Sequence, residues 1–205
     1  AEEMCRKHRV TPAFTGYRGY PRSICVSVNE EVVHGIPGTR RLKAGDVVSL
    51  DFGVKYEGFY GDAAITVGVG DVGEKARALI AVTEESLYAG IAQVKAGKRL
   101  SDVSHAVQTV VEGAGFGVIR EFVGHGIGRS LHEDPQIPNF GPPDRGPMMQ
   151  VGMTFAIEPM TSMGSYEVRI LKDGWTAITR DGSLAAHFEH SVALTENGVL
   201  ILSRL

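Results

Sequence analysis

The stretch Val47–Val67, VVSLDFGVKYEGFYGDAAITV, places two acids inside runs that otherwise read as buried β-strand. Asp51 is embedded among Val47, Val48, Leu50, Phe52 and Val54, and Asp62 among Phe59, Tyr60, Ala63, Ala64, Ile65 and Val67. Lys55-Tyr56-Glu57 and Gly58 read as a hairpin connection between the two runs. An ionised carboxylate taken out of water is strongly destabilising unless a cation or hydrogen-bond donors compensate it. Neither strand core contains a Lys or Arg, so two such acids on paired strands point to a metal ion. A fold for this chain must bring further ligands to that hairpin.

With 205 residues the chain is long enough for a sizeable core in one domain or two small halves. Its formal net charge of −3 argues against a generally basic nucleic-acid surface. No apolar run reaches bilayer-spanning length and no signal-peptide pattern opens the chain, so neither a nucleic acid nor a membrane is an expected partner. Cys5 and Cys25 are too few for a disulfide framework, and their reduced form suits the cytosol, which makes a cytoplasmic location the expectation.

Periodicity predicts strands at Ser23–Val28, Val118–Val123, Met153–Ile157, Glu167–Leu171, Trp175–Thr179, Ala185–Leu194 and Val199–Leu202. It predicts helices over Gly73–Ala96, closed by Gly97, and over Ser101–Ala114. Asp134–Pro147, rich in proline, reads as a stiff irregular loop. A weak internal repeat runs through this order. His34-Gly35-Ile36-Pro37-Gly38 parallels His125-Gly126-Ile127-Gly128. Asp51 in SLDFG parallels Glu158 in FAIEPM, and Asp62 in GDAAI parallels Glu189 in HFEHSV. The expected fold is therefore α/β (α+β), a single domain over 1–205 with halves of about 1–71 and 72–205. Two related halves would bring four carboxylates together about a pseudo-twofold axis. The second half opens with two helices for which the first half has no counterpart, so the chain reads as short at its N-terminus.

Four acids in apolar strand context cannot share a site without a countercharge. His34, His125 and His132 lie in Gly-rich or turn segments beside acidic strands, where glycine lets the backbone approach closely and an imidazole face a cleft. His8 and His105 fall on helices, and His187 and His190, flanking Glu189, read as structural. An oxygen-rich set with one or two imidazoles and no thiolate suits Mn²⁺, Fe²⁺ or Co²⁺, with Zn²⁺ as a further candidate. Four carboxylates exceed the needs of one divalent ion, so two ions fit better.

The ordered run Cys25, His34-Gly35-Ile36-Pro37, Asp51-Phe52-Gly53, Gly61-Asp62, Gly124-His125-Gly126-Ile127-Gly128, His132-Glu133, Phe155-Ala156-Ile157-Glu158-Pro159-Met160, Lys172-Asp173-Gly174-Trp175 and Glu189-His190 resembles type I methionine aminopeptidase, from about Thr15 to the C-terminus. The resemblance implies the pita-bread fold, with two pseudo-symmetric halves, antiparallel sheet and helices on the outer face. It implies a cytoplasmic, monomeric enzyme that removes the N-terminal methionine from nascent proteins with a small second residue, and association with the ribosome. It also implies two divalent ions (Co, Mn, Fe or Zn), with Asp62 and Glu189 bridging them, Asp51 chelating one, and His125 and Glu158 completing the other. By the same resemblance, a metal-bridging hydroxide would attack the first peptide bond, with Glu158 carrying its proton, His132 stabilising the tetrahedral intermediate and His34 assisting near the scissile nitrogen. Tyr17, Tyr20, Cys25, Leu131 and Trp175 match positions that line the methionine pocket, beside His34 and His132.

This chain departs from the family at several positions. Leu131 stands where an aromatic is common, Phe14 where a small residue is common, and Ala63 where a hydroxyl residue would give Asp62 a supporting hydrogen bond. The missing N-terminal helices would leave an apolar sheet face bare, with lower stability or self-association as the consequence. Two other readings share these residues: a Pro-specific aminopeptidase or dipeptidase of the same fold, and a catalytically weak pita-bread binding protein.

Overall fold

The computed structural model describes residues 1–204. Val47–Tyr56 and Phe59–Gly68 pair antiparallel in unbroken register from Val47 opposite Gly68 to Tyr56 opposite Phe59. The turn is shorter than the sequence suggests. Lys55 and Tyr56 remain in the strand, and only Glu57 and Gly58, both at positive φ, make the two-residue connection that suits strand twist.

This hairpin belongs to a nine-stranded antiparallel sheet ordered Thr11–Pro12, Val47–Tyr56, Phe59–Gly68, Glu189–Thr195, Thr154–Ile157, Gly124–Gly126 and Glu133–Ile137. Cys25–Val28 also pairs with Val47–Tyr56, and Gly198–Ile201 with Glu189–Thr195. Within this sheet the seam between the first and second parts of the chain is the short pairing of Glu189 with Ala64 and His190 with Ala63. Two three-stranded sheets flank it, one of Ala185–His187, Met160–Ser162 and Gly117–Val118, the other of Val168–Ile170, Ala177–Thr179 and Glu31–Val33.

Helices Glu74–Ile91 and Ser101–Gly113 cover one face of the second-half strands. Leu87, Ile91 and Val103 pack on Phe155, Ile157, Val192 and Leu194. Burying each such side chain stabilises the fold by about 1.5–3 kcal/mol. Period-two alternation then sends Ala156 and Ser191 to the opposite face, where the acids are. On the helix side of the first-half strands, Ile65 and Val67 are 49% and 41% exposed.

Three elements differ from expectation. The first long helix ends at Ile91 rather than Ala96 because the following chain is captured by another segment, Gly97 N–H donating to the Met149 carbonyl and Leu100 N–H to that of Pro147. The predicted strand over 118–123 is reduced to Gly117–Val118, and His125 lies within the next strand instead of after one. Glu133–Ile137 is a strand, not loop; it sits at the end of the sheet, where Pro135 needs no ladder donor.

Candidate active site

Strand register explains why the acids converge. Asp51 pairs with Ala64 and Ala64 with Glu189, so the three form one row across three strands with side chains on a common face. Ala64 contributes only a methyl between the two acids. Asp62, two residues before Ala64, faces the same way. On the neighbouring strands His125 pairs with Ala156, and Ala156 with Ser191. Glu158 lies two residues past Ala156. Glycine on both sides of His125 is a packing requirement, since a Cβ at Gly124 would meet the Ala156 carbonyl at 2.5 Å and one at Gly126 would strike the Asp134 carbonyl.

These groups are deeply buried, with Asp51, Asp62, His125 and Glu189 each less than 9% exposed. Donor atoms of Asp62, His125 and Glu189 all lie within 4.8 Å of one another. Burial pushes all four carboxyls well above the ordinary range, and mutual repulsion adds to it: Glu158 acts on Asp51, Asp51 on Asp62, and Asp62 on both Glu158 and Glu189. Among the described residues the basic groups within 4.0 Å of these acids are two imidazoles, His125 and His187, both against Glu158.

The hydrogen bonding shows what such a site accepts. His125 Nδ1 lies 2.8 Å from the Gly126 carbonyl oxygen, which can only accept, so Nδ1 carries the proton and Nε2 presents a lone pair. That lone pair is 3.5 Å from Glu158 Oε1, another acceptor. Asp51 Oδ1 and Glu189 Oε1 are buried without a hydrogen-bond partner. Facing acceptors and orphaned carboxylate oxygens, with no thiolate in the set, fit hard or borderline divalent cations.

All twelve residues predicted for the site line one cleft. Its apolar end is built by Phe14, Tyr20, Cys25 and Leu131, packed with Tyr17 and Trp175. Phe14 is a wall of the cleft that the predicted set left out. Tyr20 is fixed by donating its hydroxyl to the Gly35 carbonyl at 2.9 Å. Burial, then the Asp51 charge, pushes the Cys25 thiol up, so it stays protonated as part of the wall. His34 follows the Glu31–Val33 strand at φ +60°, its ring edge-on to Phe122 and Trp175. His132 stacks on Tyr17 at 5.2 Å and shares a 2.9 Å hydrogen bond between Nδ1 and the Tyr17 hydroxyl. Burial, with help from the neighbouring His125, pulls its pKa down to about 4.

Two expectations need correction. His187, read as structural on the expectation that alternation turns it away from Glu189, faces the acids: its Nε2 lies 3.6 Å from Glu158 Oε2, and the residue is 1% exposed. Standing two residues from Glu189, it keeps the same side by alternation, whereas His190 turns away to Tyr88 and Ser203. Ala63 does not leave Asp62 unsupported. Its backbone N–H donates to Asp62 Oδ1 at 3.1 Å, and Ser191 Oγ bonds both the Asp62 N–H and carbonyl at 2.8 Å.

Comparison with known proteins agrees with this chemistry. Residues 1–196 match metallopeptidase family M24. Methionine aminopeptidase 1 of Bacillus subtilis is 54% identical over 205 residues, all of this chain and 83% of the relative. The crystal structure of methionine aminopeptidase from Thermotoga maritima superposes with a TM-score of 0.98 at 55% identity, covering 100% of this chain and 82% of that one. A dipeptidase from Pyrococcus horikoshii is more distant, with TM-score 0.72 and 25% identity over 89% of this chain and 46% of its own. The curled antiparallel sheet with few helices is thus the pita-bread α+β fold. The similarity favours neither a Pro-specific enzyme nor a binding protein. The chain belongs to the type I methionine aminopeptidases of metallopeptidase family M24.

Proposed function

We infer that this metallo-exopeptidase releases the N-terminal methionine of peptides and proteins using two divalent ions held by Asp51, Asp62, His125, Glu158 and Glu189. By the resemblance to the family, Asp62 and Glu189 would be shared between the two ions, Asp51 would hold one of them, and His125 with Glu158 would complete the other. The observation that carries this reading is that donor atoms of Asp62, His125 and Glu189 lie within 4.8 Å of one another, with Glu158 Oε1 3.5 Å from His125 Nε2 and Asp51 in the same strand row as Glu189. When bound, the ions supply the Lewis acidity that activates water and polarises a peptide carbonyl.

The protein groups divide the remaining work. Glu158 lines the cleft beside His125 and would take the proton of the attacking water, passing it towards the leaving nitrogen. In the tautomer where the Tyr17 O–H donates to His132 Nδ1, the His132 proton sits on Nε2 and would hydrogen-bond the scissile peptide oxygen as charge develops there. His34, held edge-on by Phe122 and Trp175, assists near the scissile nitrogen. The side chain of methionine is received by Tyr20, Cys25, Leu131 and Trp175, an apolar wall above the acids that define its floor.

The same reading makes 1–205 one catalytic domain with its halves meeting near 71/72. It makes the enzyme a cytoplasmic monomer working on nascent chains at the ribosome. The buried free thiols of Cys5 and Cys25 support a reducing compartment, and the resemblance to the family supports the rest. The test is turnover of Met-Gly and X-Pro peptides with Mn²⁺ or Co²⁺ added to chelated protein. Metal-dependent methionine release from Met-Gly is expected, and turnover of X-Pro alone would overturn the assignment.

A further inference from the structure

The two oxygens of Glu158 meet different chemistry. Oε1 faces His125 Nε2, an acceptor because its partner nitrogen donates to Gly126. Oε2 faces His187 Nε2 at 3.6 Å, just beyond hydrogen-bond length, and neither ring nitrogen of His187 has a hydrogen-bond partner. A fully buried imidazole with both nitrogens unpartnered is destabilising unless one of them serves a neighbour. Glu158 is the charged neighbour in reach, and only a donor improves that contact.

The backbone that carries this ring is fixed. His187 N–H donates to Thr66 Oγ1 at 2.8 Å, and Thr66 Oγ1 donates back to the His187 carbonyl at 2.7 Å. The third position on Thr66 Oγ1 is a 2.8 Å bond with Ser49. On its other side His187 pairs in register with Met160, two residues beyond Glu158. The ring therefore sits on a frame tied to both parts of the sheet and to the segment that bears Glu158.

We propose that His187 is a positioning residue for Glu158, its Nε2–H holding Oε2 so that Oε1 alone is presented to the ion site and the cleft. This rests on the assignment of Glu158 as a metal ligand. Supporting partners of this kind set the angle of a ligating carboxylate, and their loss typically weakens metal binding or activity about 10–100-fold.

The test compares His187→Gln, whose amide NH₂ reaches the place of Nε2–H, with His187→Leu, which has no donor. Mn²⁺ is titrated into chelated protein by calorimetry, and kcat and KM are measured separately on a Met-Gly peptide. For His187→Leu the expected result is Mn²⁺ affinity weaker by about 10–100-fold at unchanged stoichiometry, with the loss of turnover in kcat and KM nearly unchanged. His187→Gln is expected to restore both to near the parent enzyme. Should the Leu variant fail to fold, His187→Asn, too short to reach Oε2, makes the same comparison with Gln.

Three results would overturn the proposal: a donor-less variant that binds and turns over like the parent, a Gln variant as impaired as Leu, or loss of one ion from the stoichiometry, which would make His187 a ligand itself. Glu158→Gln separates this from the assignment beneath it. If Glu158→Gln leaves Mn²⁺ binding intact, the ligand assignment fails. If it loses binding while His187→Leu does not, the positioning role alone fails.

Discussion

Replacing Asp62 by Asn should stabilise the metal-free protein while destroying its response to metal. Asp62 is 5% exposed and burial, then Asp51, drives its pKa up, so the charged form is strained whenever no cation is bound. Asn preserves the volume and keeps an oxygen to accept the Ala63 N–H that reaches Oδ1 at 3.1 Å. The Ser191 bonds go to the Asp62 backbone and are untouched. Removing one of four crowded acids therefore removes desolvation and repulsion without opening a cavity. Replacing buried ionic groups by neutral ones is neutral or gains about 1–4 kcal/mol in other proteins, and a single substitution that keeps the Ala63 N–H bond is taken at the lower end, about 1–2 kcal/mol. At roughly 2–4 °C per kcal/mol for a chain of this size, Tm rises by about 2–8 °C in chelator.

The parent enzyme behaves in the opposite sense. Saturation at a hundredfold excess of Mn²⁺ over Kd adds about 2.7 kcal/mol, which is roughly 5–11 °C. Asp62→Asn should show little of that shift and no methionine release. Thermal melts of both proteins, with chelator and with Mn²⁺, complete the comparison. A metal-free Asp62→Asn that melts well below the metal-free parent would refute the claim that these acids are held against their own repulsion.

Ser191→Ala strips the buried N–H and carbonyl of Asp62 of their shared partner, so a loss of about 1–3 kcal/mol in chemical denaturation is expected, with Mn²⁺ affinity falling although no ligand is removed. Ala64→Leu puts a branched side chain between Asp51 and Glu189; calorimetry should show Mn²⁺ binding abolished, and unchanged affinity would contradict the register drawn here. Leu131→Ala widens the wall beside His132, and the preference for Met over a shorter apolar residue should narrow within the roughly 1–3 kcal/mol that such contacts command, read as a ratio of kcat/KM values. His132, lowered to about 4 in the fold, binds fewer protons there than in the unfolded chain between about pH 4 and 6.5. Its contribution to stability therefore rises with pH across that window and is lost as pH falls from about 6.5. NMR titration of the metal-free protein should place its midpoint near 4; a midpoint near 6.5 would contradict the burial argument.

The acids were legible in the sequence because each violates a local rule, a charged residue where alternation demands an apolar or neutral one. Asp51 and Asp62 announce themselves this way, and Glu158 and Glu189 repeat the violation in the second half. What supports them was not legible. Ser191 lies 129 residues from Asp62, and nothing near either residue signals that one hydroxyl clamps the other's backbone. His187 could have been found, since a residue two positions from Glu189 shares its face; only His190, directly beside Glu189, alternates to the other. Proline density hid the Glu133–Ile137 strand, because proline is excluded from central strands and tolerated at an edge. The end of the first long helix was set by a tertiary capture at Met149, which local periodicity cannot contain.

The most direct measurement is the release of free methionine from a Met-Gly peptide by chelated enzyme as Mn²⁺ is added back, with Asp62→Asn in parallel. Activity should be absent in chelator, rise with added Mn²⁺ in the parent and remain absent in Asp62→Asn. Methionine release that is indifferent to the metal, or a fully active Asp62→Asn, would contradict the central claim that these buried acids exist to hold divalent ions.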